Sequence, residues 1–175
     1  MIEQVLNRRN VMRAYRQVVS NKGSAGVDGM SVRELYEYLT INRECIESGL
    51  REGKYLPQAI LGVEIPKSNG KTRLLGIPTV TDRLLQQAVG QVIAIKFEME
   101  FEDYSYGFRP NRNAQQAVLK AQEYINSAYQ HIVDIDLKSF FDEVDHCILL
   151  QLLYRKVKCP LTLRLSANGS ELPFK

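Results

Sequence analysis

Two carboxylates set two residues apart are the first candidates for chemistry in this sequence. In His131-Ile-Val-Asp-Ile-Asp-Leu-Lys-Ser-Phe-Phe-Asp-Glu-Val-Asp-His146, Asp134 and Asp136 interrupt the apolar residues Ile132, Val133, Ile135 and Leu137. The pattern predicts a short strand whose side chains alternate faces, so both aspartates point one way. A carboxylate removed from water is costly unless paired, hydrogen-bonded or bound to metal. Two on one face at a strand's end therefore point to a divalent cation. The residues equally fit one carboxylate capping the next turn and the other solvated at a sheet edge. This stretch leaves both readings open, and does not choose between Asp134 and Asp136.

The elements that must position it begin with Met1 to Asn21, which reads as one amphipathic helix with Val5, Met12, Tyr15 and Val19 near one face. Arg8, Arg9, Arg13 and Arg16 occupy much of the remainder, with no acid among them. Such a run is most simply a solvated face, and it also suits phosphate contacts. Lys22 to Gly29 is a glycine-rich loop without the terminal Gly-Lys-Ser/Thr of a P-loop. Ser31 and Glu34 form a capping-box pattern before Val32, Leu35, Tyr36 and Leu39. A second short helix is predicted from Asn42 to Glu52, ending at Gly53.

Ala59–Ile65 and Thr72–Ile77 read as strands joined through the Asn69-Gly70 turn. Lys67, Lys71 and Arg73 cluster at that hairpin's tip. They suit edge protection, or a clamp on a triphosphate. Thr79 to Asp82 starts a long core helix through Leu84, Leu85, Ala88, Val92, Ile95 and Met99, whose acidic tail from Glu98 to Asp103 reads as solvated. Tyr104 to Arg112 interleaves aromatic and basic residues, a composition suited to stacking on bases and holding phosphates, or to packing on the core. Asn113 caps a helix to about Tyr129, and another runs from about Asp145 to Lys156. Residues 159–175 show neither periodicity. Helices, a hairpin, more helices and one strand make an α+β layer.

The 175 residues suffice for one core, and the formal charge of +3 is too mild to establish a nucleic-acid partner by itself. Cys45, Cys147 and Cys159 are not in metal-ligand spacing. They are expected to be reduced, mostly buried thiols of a cytoplasmic protein. No signal-like or long apolar segment occurs, so neither secretion nor membrane spanning is expected.

Four pieces in order resemble the reverse transcriptases encoded by group II introns. Ile65-Pro-Lys-Ser-Asn-Gly-Lys-Thr-Arg-Leu-Leu-Gly-Ile-Pro78 with Thr81-Asp-Arg83 is similar to their first fingers motif. Tyr106-Gly-Phe-Arg-Pro-Asn-Arg-Asn-Ala114 is similar to the second, and the stretch from Asp134 to His146 to the third, which opens the palm. The Lys22 to Gly29 loop resembles their N-terminal extension. The likeness runs from near the start to about Tyr154. It implies an N-terminal extension and start of fingers in residues 1–58, fingers in 59–130, the start of the palm in 131–158, and an atypical tail in 159–175.

The family resemblance implies a right-hand polymerase copying RNA into DNA, and a maturase that binds its structured intron RNA. It selects Asp136 as catalytic carboxylate, because Phe141 and Asp142 follow at the family's offsets. Asp136 and the Leu137 carbonyl would hold Mg²⁺ in a two-metal mechanism. Lys67 and Arg73 match residues that grip the incoming dNTP, with Ser139 and Phe140 at its backbone contacts. Phe141 matches the ring that excludes a ribose 2′-hydroxyl. Lys71 and Arg83 would meet phosphates. Arg109 and Arg112 would help shape the path of the RNA template, and Arg8, Arg9, Arg13, Arg16 and Lys22 would bind RNA.

The family also needs a Tyr-x-Asp-Asp hairpin, which does not occur in this chain. The chain alone is therefore expected to bind RNA without polymerising, as a non-catalytic RNA-binding module. Apolar residues Val133, Leu149, Leu150, Leu152 and Leu153 of the palm's beginning would favour a homodimer.

Overall fold

Asn7 divides the N-terminal stretch that its periodicity presents as one helix. Helix α1 covers Ile2–Val5 and α2 covers Arg8–Ser20. The Asn7 side chain accepts the Arg9 N–H at 3.0 Å and caps α2. The break lets α2 turn a different face inward: Ala14 and Val18 are buried, whereas Met12 is exposed. The computed structural model describes residues 1–66, 70–137 and 140–168.

Helix α3, Leu35–Arg51, is one helix where the sequence predicts two. The Thr40 hydroxyl and the Asn42 side-chain amide donate to the carbonyls of Tyr36 and Tyr38, four residues back, at 2.9 and 3.0 Å. They thus join the running helix instead of capping a new one. Ahead of it, a Glu34 carboxylate oxygen accepts from the Ser31 N–H at 2.8 Å and hydroxyl at 2.7 Å.

Strands β1, Leu61–Pro66, and β2, Thr72–Ile77, form the predicted antiparallel hairpin, in register from Leu61↔Ile77 to Pro66↔Thr72. Val63, Ile65, Arg73 and Leu75 share a face by strand alternation and register. Gly70, at φ +77°, takes the left-handed conformation that favours glycine in the connection.

Helix α4, Val80–Phe97, is the core element its sequence predicts. Val80, Leu84, Ala88 and Val89 cluster with Val5, Ala14, Val18 and Leu35. Leu85 joins Leu6 and Leu50 in a second cluster. Asn10 ties α2 to α4 through its side-chain N–H groups, donating at 2.9 Å to the carbonyls of both Val5 and Ala88. A 3-10 turn follows at Glu98–Glu100, then α5, Ala114–Asn126. Asn113 and Gln116 complete a capping box there, at 3.0 and 3.1 Å.

The last third departs from expectation. Residues 131–137 form no strand, and Ile132, Val133 and Ile135 are exposed. A strand needs a neighbour to satisfy its backbone groups, and the sheet among the described residues is the hairpin alone. After α6, Phe140–Glu143, and α7, His146–Val157, the tail forms α8, Pro160–Asn168. Proline suits a first helical position, Thr162 and Leu163 are buried, and Leu165 packs on both core clusters. Burial, not periodicity, makes this helix. Cys45 and Cys147 are exposed rather than buried. No helix among the described residues is long and apolar enough to cross a membrane.

Candidate nucleic-acid interface

The chain divides into two compact units, Met1–Ala94 with His146–Lys175, and Ile95–Asp145. Charge follows that division. The first unit carries 18 Lys and Arg against 10 Asp and Glu; the second carries 5 against 10. The net +3 thus conceals a basic unit and an acidic one.

In the basic unit, Arg8, Arg9, Arg13 and Arg16 are all exposed on α2. At 100° per residue, Arg9, Arg13 and Arg16 fall within one narrow stripe opposite Ala14 and Val18. Arg9 and Arg13 border a shallow depression of about 330 Å³ with Gln4, Asn7 and Asn10. Arg8 faces elsewhere, onto an apolar groove with Met12, Tyr15 and Tyr36. Lys22 follows α2, exposed and at φ 49°. Lys71 and Arg73 are exposed on the hairpin, and Lys67 lies outside the described residues.

Arg83 is tied to the glycine-rich loop. It is partly buried, and its Nη2 donates to the Ser24 carbonyl, 59 residues away. Its buried Nε–H has no partner among the described residues. Beside it, Asp82 is 3% exposed and completely enclosed by donors. Its carboxylate accepts the Tyr55 hydroxyl at 2.7 Å, the Thr79 hydroxyl at 2.6 Å and the Gln58 N–H at 3.1 Å. Burial, then the Asp82 charge, pushes the Tyr55 phenol well above its ordinary pKa. Sequence reasoning sees only a helix start here; the Thr79-x-x-Asp82 spacing is the local signal for the rest.

Arg109, in the acidic unit, is likewise committed to the fold. Its side chain is 6% exposed, and all five of its N–H groups have acceptors. Nε and Nη2 reach the Glu98 carboxylate at 3.1 and 2.9 Å, and Nη1 reaches the Glu102 and Ser105 carbonyls at 2.7 and 3.1 Å. Nη2 also reaches the Glu98 carbonyl at 3.5 Å. Saturated in this way, it shapes the loop and has no donor left for a phosphate. Glu98, predicted to be solvated, is its partner. Arg112 remains partly exposed, over the Tyr106 ring and 3.8 Å from Asp103.

Asp134 and Asp136 are both exposed, and without a strand the same-face argument for them lapses. Phe140 begins α6. Phe141 lies within that helix, but its side chain, like Ser139, falls outside the described residues. Among the described residues no three His, Cys, Asp or Glu side chains gather to hold a metal ion. With one assigned carboxylate, Asp136, and the Leu137 carbonyl, these residues do not by themselves fit a Mg²⁺ site.

Residues 65–173 match the family model described as reverse transcriptase (RNA-dependent DNA polymerase). The chain belongs to that family. The match extends past Tyr154, as far as residue 173. The chain is 35% identical over 150 residues to Protein YkfC of Escherichia coli, covering 82% of the chain and 39% of that protein. It is 37% identical over 153 residues to the group II intron-encoded protein LtrA of Lactococcus lactis subsp. cremoris, covering 83% and 24%. The COX1/OXI3 intron 2 protein of Saccharomyces cerevisiae is 26% identical over 157 residues, covering 86% and 17%. The chain therefore spans well under half the length of these relatives. The resemblance drawn from its motifs is met by intron-encoded proteins from bacteria and yeast.

Proposed function

We propose that this chain forms the fingers and the start of the palm of an RNA-directed DNA polymerase that also serves as an intron maturase. It engages structured intron RNA through its basic unit. The observation that carries this reading is the stripe of Arg9, Arg13 and Arg16, exposed and free of acids on a unit rich in Lys and Arg. In the polymerase, RNA template with DNA primer and dNTP would be the substrates. Lys67 and Arg73 would grip the triphosphate, and Phe141 would exclude a ribose. Asp136 is this chain's contribution to the carboxylates of a two-metal, Mg²⁺-dependent site. The Tyr-x-Asp-Asp pair that would complete that site does not occur in this sequence.

A second reading is a non-catalytic RNA-binding module. It is favoured by the contrast between a continuous arginine stripe and a single assigned catalytic carboxylate.

RNA binding measured against salt tests both readings. Phosphate contacts make affinity fall with salt, and each contact removed flattens the log–log slope by about 0.7–0.9. The Arg9→Glu, Arg13→Glu, Arg16→Glu variant should lose about tenfold or more in affinity and flatten the slope. Unchanged affinity and slope would reject this surface.

A further inference from the structure

We propose that Arg83 is a latch that positions the Lys22–Gly29 loop, and through it the end of the arginine-bearing helix α2, for RNA. The proposal rests on the RNA-binding reading above. Its basis is a socket built from both sides. Arg83 Nη2 holds the Ser24 carbonyl across 59 residues. A β-carbon at Gly23 would lie 2.3 Å from Arg83 Nη1, and one at Gly26 would lie 2.7 Å from the Thr79 Cα. Neither glycine has the positive φ that would itself call for glycine. Space, not backbone freedom, is what both positions provide: at Gly26 against the fixed Thr79 backbone, and at Gly23 against the end of the Arg83 side chain, which a methyl would push off the Ser24 carbonyl.

The base of the latch is hydrogen-bonded into the fold. Arg83 follows Asp82, whose carboxylate is fixed by Thr79, Tyr55 and Gln58. The part it holds is the loop, which begins at exposed Lys22, just past the Asn21 cap of α2. Arg83 thus acts as a positioning residue, and RNA meets the loop rather than its guanidinium.

Hydrogen exchange of the amides of residues 22–29 in the whole chain, with wild type, Arg83→Gln, Gly23→Ala and the double variant, tests this. Each single change should speed exchange there about tenfold, leaving the α5 amides unchanged. The double variant should be no faster than either single one, because the methyl and the missing guanidinium break the same contact. Gly26→Ala, which meets the Thr79 backbone instead, should add to either change.

A labelled RNA hairpin supplies the second readout. Arg83→Gln and Gly23→Ala should each weaken its binding severalfold, although the glycine change alters no charge. Unaltered loop exchange in Arg83→Gln overturns the latch, as do additive effects in the double variant. Unchanged or tighter RNA binding by Gly23→Ala would make Arg83 a direct phosphate donor and also overturn it. A wild-type chain that binds no RNA sinks the proposed function, while the exchange data still judge the latch.

Discussion

The Arg109 guanidinium meets the Glu98 carboxylate at 2.9 Å across eleven residues of chain, and carbonyls from Glu102 and Ser105 close around it. An arginine so enclosed fixes the path of the loop, since cutting it away would leave the half-buried Glu98 carboxylate and the carbonyls around it without their donor. Arg109→Ala is expected to cost about 3 kcal/mol. Arg112→Ala, whose Asp103 partner is 92% exposed at 3.8 Å, should cost less than about 1 kcal/mol. Urea unfolding followed by circular dichroism separates the two; equal losses would contradict the assignment.

The Tyr55–Asp82 bond gives stability a dependence on alkaline pH. The folded chain holds the phenolic proton more tightly than the unfolded chain, where tyrosine titrates near 10. The contribution is therefore complete below about pH 10 and declines above it, as the unfolded chain releases a proton that the folded one keeps. Tyr55→Phe should lose about 1–2 kcal/mol at neutral pH, and its melting temperature should fall less steeply through that range. Parallel pH profiles for the two proteins would refute this.

Asn113 caps α5 through a reciprocal bond with Gln116. Replacing it with alanine removes an acceptor for a helix-end N–H, at about 1 kcal/mol. Asn113→Asp should retain most of that. Exchange rates of the first-turn amides of α5 report it directly, and faster exchange in both variants would show that the cap is not the cause.

Primer extension on an RNA template, with dNTP and Mg²⁺, should be undetectable with this chain alone. Extension that Asp136→Ala abolishes would overturn that expectation. In a chain extended to carry a full palm, Phe141→Ala should gain ribonucleotide incorporation, and unchanged sugar selectivity would remove the gate assignment.

Local signals are where the sequence reads truly. Asn69-Gly70 announces the hairpin, Asn113 its helix, and Thr79 the start of α4, because turns and caps are written within four residues of chain. What depends on distant partners is hidden. Arg109 looks like a free cation until Phe108 and Asn111, at φ 56° and 59°, bend the loop around it. Arg83 has the composition of a phosphate contact, and only the fold brings Ser24 to it. Residues 131–137 carry a strand's pattern without a described strand to pair with. Leu161, Leu163 and Leu165 alternate like a strand, yet they lie in α8, and Leu165 joins the core. The motifs disclose the family, whereas the duties of its arginines are set by tertiary contacts.

The separation of charge between the two units has a practical consequence for handling the molecule. A formal +3 predicts weak, uniform behaviour on charged matrices. With 18 cations against 10 anions in one unit and 5 against 10 in the other, the chain should be retained by cation exchangers through one unit and by anion exchangers through the other. Salt then acts in opposite senses on a polyanion, loosening its hold on the basic unit and easing its repulsion from the acidic one. Elution follows local charge, and the isoelectric point becomes a poor guide to it.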